Sequence, residues 1–229
     1  MTSTIDRKYD SVHYVSTAAA WSQRSPERRE KLIRAAIAVI TELGLEAATT
    51  RRVATHAGVS LGSVHYVFAN KNELLAAVID FVGDSIETAL RPSAADRDRD
   101  DQDASAALTG IVERFWALVE ADPGFQLMQY ELTAYCLRHA DSRWLATRQY
   151  DRYRAIVTES LAATQNHPSA PPESAFDDIA RQTVAGLDGI ILQFLIHEDV
   201  DRARRDVAIF IENLRSTAVT IGASRDLSV

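Results

Sequence analysis

Apolar residues recur at Ile33, Ala36, Ile37, Ile40 and Leu43, a three-and-four spacing that gathers them on one face of a helix. Ser25-Pro26-Glu27 ahead of them has the chemistry of a helix start. The serine oxygen accepts free amides, the proline sits where its missing N–H costs nothing, and the acid faces the positive helix end. Gly44 ends the pattern. Two short helical patterns follow on either side of Gly58, with Ala54, Val59 and Val64 as inward anchors. Thr49 or Thr50 caps the first and Ser60 the second. Asn70-Lys71-Asn72-Glu73 then resembles a capping box, and Leu74, Leu75, Val78, Ile79 and Val82 carry another helix onward.

The pattern stays helical to the end, so the expected fold class is all-α. Residues 91–104, Arg-Pro-Ser followed by alternating Asp and Arg, read as a mobile linker. Five helices follow. Residues 106–120 carry one apolar stripe, and Asp122-Pro123-Gly124 interrupts it. Residues 125–138 carry Phe125, Met128, Leu132 and Tyr135 at helical spacing. Asp141 is the expected cap of a long helix with Ala146, Tyr150, Tyr153, Val157 and Leu161 on one face. Three prolines make residues 166–174 a loop. The division expected is an N-terminal extension (1–24), a small helical domain (25–75) and a larger helical domain (76–229).

Steep crossing of two short helices over a glycine turn is the layout of a helix-turn-helix. Thr49, Thr50, Arg51, Ser60, Leu61, Gly62, Ser63, His65, Tyr66 and Lys71 are then the candidate DNA contacts, because the second short helix is too small and polar on its outer side to be buried. Charge agrees with the split. Residues 1–75 hold ten Lys/Arg against seven Asp/Glu, whereas the whole chain carries −7, so the basic part is the part with the motif. Such an acidic chain needs a few aimed contacts to hold DNA, with binding that weakens in salt.

The motif set Thr49-Thr50-Arg51, Ala57-Gly58-Val59-Ser60, Tyr66-x-Phe68 and Asn70-Lys71-Asn72-Glu73-Leu74-Leu75 resembles the TetR family of bacterial one-component transcription regulators. The resemblance implies phosphate contacts from Thr50, Tyr66 and Lys71, and base-edge contacts from Arg51, Leu61 and Ser63. Where members usually carry an aromatic, this chain has His65. It also implies a small-molecule effector, double-stranded operator DNA and a homodimer. The last two helices fit the dimer independently. The first of them is apolar around most of its circumference, and Gly186, Gly189, Ile190, Phe210 and Leu214 are the expected interface.

A mostly apolar cavity with a few polar groups is the usual effector site, and Trp116, Phe125, Met128, Glu131, Tyr135, Trp144, Tyr153, Gln182 and Phe194 are its candidates. No motif for catalysis, cofactor or metal binding is present: no G-x-S-x-G, no phosphate loop, no H-E-x-x-H. The longest apolar run, residues 190–196, is far short of a membrane span, and the single Cys136 suits a reducing cytoplasm. A ligand-responsive regulator, most simply a repressor, is therefore expected. Its alternatives are a dimeric DNA-binding protein without effector and a helical enzyme with an incidental helix-turn-helix.

Overall fold

The computed structural model describes residues 12–91, 103–167 and 170–223. Among the described residues, nine helices run in order: α1 (Val12–Leu43), α2 (Thr50–Ala57), α3 (Leu61–Val67), α4 (Lys71–Leu90), α5 (Ala104–Ala121), α6 (Pro123–Arg138), α7 (Arg143–Ala162), α8 (Phe176–His197) and α9 (Val200–Ala223). Short 3₁₀ turns at Leu45–Ala47 and Glu173–Ala175 join α1 to α2 and precede α8. Among the described residues there is no strand.

Two helix starts differ from expectation. Helix α1 begins at Val12, with Pro26 inside it and not at its first turn. An interior proline removes one backbone donor, and the strong helix formers Ala18-Ala19-Ala20 upstream carry the helix through it. Residues 1–11 of the expected extension lie outside the described residues, as does most of the linker, 92–102. Helix α7 starts at Arg143, so Asp141 is not its cap. The Asp141 carboxylate and carbonyl instead accept from Asn72 Nδ2 at 3.4 Å each, and Ser142 Oγ donates to Asn72 Oδ1 at 2.9 Å. This turn is thereby tied to the first turn of α4.

One core runs through both parts of the chain. Leu32, Ile40, Val53 and Val64 from the first three helices, with Phe68 just after α3, join Leu74, Leu75 and Val78 of α4, and these continue into Leu108, Met128, Leu132 and Leu145. Helix α4 thus belongs to both halves. A second cluster around Trp116, Leu187, Ile191, Phe194, Val207 and Leu214 holds α5, α8 and α9 together. The segment containing α8 is apolar and long enough to cross a membrane by composition. Its Ile179, Ala180, Thr183, Leu187, Ile191 and Phe194 are buried against the rest of the chain, while Leu192 and Ile196 are exposed.

Candidate nucleic-acid interface and effector cavity

Local chemistry fixes the helix-turn-helix. Thr49 Oγ1 accepts from Arg52 N at 3.2 Å, capping α2, and Ser60 Oγ accepts from Ser63 N at 3.2 Å, capping α3. Gly58 between them has φ +62° and ψ 40°, the left-handed conformation that a β-carbon penalises. Val53, Val64 and Phe68 are fully buried behind the pair, so the opposite side of α3 must face outward. Tyr66 is 82% exposed, Arg51, Ser60, Gly62 and His65 are exposed, and Thr50, Leu61 and Ser63 are half-buried at the rim. These side chains form one polar surface. Ser63 Oγ is bonded to Ser60 Oγ at 2.9 Å, which orients it at the start of α3.

Lys71 is placed differently. Its ammonium donates to the Leu45 carbonyl at 3.3 Å and sits 4.6 Å from the centroid of the Tyr135 ring. Burial lowers its pKa, with Glu46 opposing that shift. Asn70 caps α4 by accepting from Glu73 N at 2.9 Å, while the Glu73 carboxylate accepts from Ala69 N at 2.7 Å. Glu131 of α6 completes this junction, accepting from Leu45 N at 3.2 Å. Helix α6 therefore touches the DNA-binding half through Glu131 and Tyr135. Cys136 beside them is enclosed, and burial pushes its thiol up to about 11, so it stays protonated and unreactive.

The other face of α6 borders a narrow cavity of about 60 Å³. Ile86 and Leu90 of α4, Ile111 and Phe115 of α5, Ile156 of α7 and Leu187 of α8 supply its apolar wall. Its polar side is a chain of neutral groups. Gln149 Nε2 donates to Tyr153 Oη at 2.8 Å, Tyr153 Oη donates to Gln129 Oε1 at 2.5 Å, and Gln129 Nε2 donates to Gln126 Oε1 at 2.9 Å. Thr133 Oγ1 donates to Gln149 Oε1 at 3.1 Å. Opposite stands Asp188, whose carboxylate accepts from Tyr130 Oη at 3.2 Å and has the Tyr150 phenol beside it. Burial raises the pKa of Asp188, opposed by these two phenols, and burial raises all three tyrosines, which stay protonated.

Of the side chains expected to meet an effector, Tyr153 lines this cavity. The others are elsewhere. Met128 is enclosed in the first core cluster, and Trp116 packs on Phe194 in the second with ring centroids 5.4 Å apart. Phe125 borders an outer groove beside Arg34 and Phe81. Glu131 and Tyr135 meet the DNA-binding half, while Trp144 and Gln182 are exposed. Gln126, Gln129, Thr133, Gln149 and Asp188 escaped sequence reasoning. Gln126, Gln129 and Thr133 carry a signal, polar residues at helical spacing along α6 beside its apolar stripe, whereas Gln149 and Asp188 stand on two other helices.

The expected interface residues separate similarly. A β-carbon on Gly186 would lie 2.3 Å from the Phe210 ring, so this glycine admits α9 of its own chain. Leu214 is buried and Ile190 half-buried in that same cluster. Gly189 is open, with nothing within 4 Å of a β-carbon there. It belongs to an exposed stripe of Ala185, Gly189, Leu192 and Ile196 on α8, and Ile209 on α9 is exposed as well. Leu192, Ile196 and Ile209 are 50%, 65% and 62% exposed.

Residues 32–78 match the model for bacterial regulatory proteins of the tetR family, and residues 99–216, more than half the chain, match the model for the tetracyclin repressor-like C-terminal domain. The chain belongs to the TetR family. The nicotine-responsive transcriptional repressor HdnoR of Paenarthrobacter nicotinovorans is 29% identical to this TetR-family protein over 168 residues, covering 73% of the chain and 84% of the relative. The transcriptional regulator BetI 1 of Chromohalobacter salexigens is 26% identical over 212 residues, covering 84% and 94%. Among solved structures, the multidrug binding protein EbrR complexed with imidazole aligns with TM-score 0.58 and 27% identity over 82% of this chain and 90% of that one. EbrR with malachite green aligns with TM-score 0.59 and 25% identity, covering 82% and 98%. The protein is thus a TetR-family transcriptional regulator and not an enzyme.

Proposed function

We propose that the protein is a repressor that binds a palindromic operator as a homodimer and lets go when a small molecule enters the cavity beside α6. The observation that carries this reading is the double engagement of α6. One face holds Gln129, Tyr130 and Thr133 at the cavity, and the other holds Leu45 N through Glu131 and underlies Lys71 with Tyr135. A cavity of about 60 Å³ is well below the roughly 300–1,000 Å³ of typical ligand sites, so an occupant has to spread the helices. Spreading moves α6 and, through Ile86 and Leu90, the far end of α4. Both helices grip the DNA-binding half, so the separation of paired recognition helices changes. The ligand must favour the released state by about 1–3 kcal/mol for typical coupling.

Two copies supply the symmetry. Half-sites about 34 Å apart, one turn of duplex, are what two α3 helices related by a two-fold axis can reach. The exposed stripe of Leu192, Ile196 and Ile209 is the surface a second copy would cover. EbrR, described as a multidrug binding protein, and HdnoR, described as nicotine-responsive, support a small-molecule input on this fold. Thr50 and Tyr66 would hold phosphates, with the N-terminal turn of α4 at Lys71 beside them, while Arg51, Leu61 and Ser63 meet base edges and Thr49, Ser60, Gly62 and His65 complete the surface. Selection of duplexes from a random pool tests the reading. A two-fold symmetric sequence is expected, and an enriched sequence without symmetry, or none, overturns it.

A further inference from the structure

Asp188 carries the one formal charge among the described residues lining the cavity, and no Lys, Arg or His stands there with it. Its hydrogen-bond partner Tyr130 from α6 and its neighbour Tyr150 from α7 are neutral phenols. A carboxylate in an apolar enclosure without a cation is held at a cost, and the cost falls when a positive charge arrives. The neutral polar side chains of the cavity are bonded to one another, from Gln149 through Tyr153 and Gln129 to Gln126. Three tyrosine rings stand around the acid, and Tyr150 meets Tyr153 edge to face with centroids 5.6 Å apart. Aromatic faces attract cations and repel anions.

We infer that the effector is a small lipophilic organic cation, a protonated amine or a quaternary ammonium, with Asp188 as its counter-ion and Tyr130, Tyr150 and Tyr153 as its aromatic walls. This rests on the cavity being the effector site. An anionic ligand meets the carboxylate and the negative ring faces together, so it is excluded. A neutral apolar ligand fills the space and leaves the acid uncompensated. A cation alone satisfies the charge and the rings at once.

Isothermal titration with phenyltrimethylammonium and with tert-butylbenzene, which has the same shape without the charge, separates the possibilities. The wild-type protein should bind the cation at least about ten-fold more tightly than the neutral compound, about 1.4 kcal/mol. In D188N, where the amide oxygen still accepts from Tyr130, cation affinity should fall by about ten-fold while neutral binding holds or improves. Equal affinity for the two compounds, or cation binding untouched in D188N, overturns the cationic class and leaves the cavity standing as the effector site. Failure of both compounds, and of longer alkyl homologues of each, to bind at all removes the cavity and the inference together.

Discussion

Asp188 shows how one side chain can be retained against stability. Burial places its folded-state pKa above the unfolded value, so the folded chain favours the protonated acid. That contribution is complete at low pH and is lost as pH rises through the raised pKa, where the ionised carboxylate faces only the phenols of Tyr130 and Tyr150. D188N removes the loss. Its melting temperature should match the wild type near about pH 4 and exceed it at about pH 7, and a mutant no more stable at neutral pH would contradict the burial cost. At the same scale, the outward residues of the helix-turn-helix were readable and the cavity-lining ones, Tyr153 apart, were not. Thr49, Gly58 and Ser60 act through their immediate neighbours, so their roles are local and visible in order along the chain. Tyr153, Gln129 and Gln149 come together from two helices, and Asp188 from a third, which spacing within one helix does not report.

Elements were legible where each has a single apolar stripe. Helices α2, α3 and α4 and their caps stand where the pattern puts them, because Ser60 and Asn70 satisfy first-turn amides that nothing else reaches. Helices with two loaded faces were harder. In α6 the stripe of Met128 and Leu132 enters the core, and the adjacent stripe of Gln126, Gln129 and Thr133 enters the cavity. In α8 the glycine taken for a contact between copies admits Phe210 of its own chain. G186A should therefore destabilise by about 1–3 kcal/mol through overpacking, measured by denaturant unfolding. The double variant G186A/F210L should recover much of that loss. An unaffected G186A would mean that α9 is not seated against this position.

At the scale of the whole molecule, α4 and α6 contact both halves, which is what the proposed transmission requires. Arg148 and Asp80 add a two-point contact between α4 and α7, at 2.7 and 3.0 Å, but an exposed pair of this kind contributes little stability and mainly fixes register. The proposed dimer would rest on side chains that the single chain leaves in solvent. I196D should leave thermal stability of the dilute chain nearly unchanged, since Ile196 is 65% exposed, and should shift sedimentation to the monomer. Operator affinity should fall with it, by at least about ten-fold, because a lone recognition helix reads one half-site. A dimeric I196D would place the two-fold axis elsewhere. The central claim is that the outward side of α3 reads base edges, and the most direct measurement is to repeat duplex selection with S63N. The account predicts a new preferred base at one symmetric pair of positions within an otherwise unchanged palindrome. Enrichment of the same sequence as wild type would contradict it.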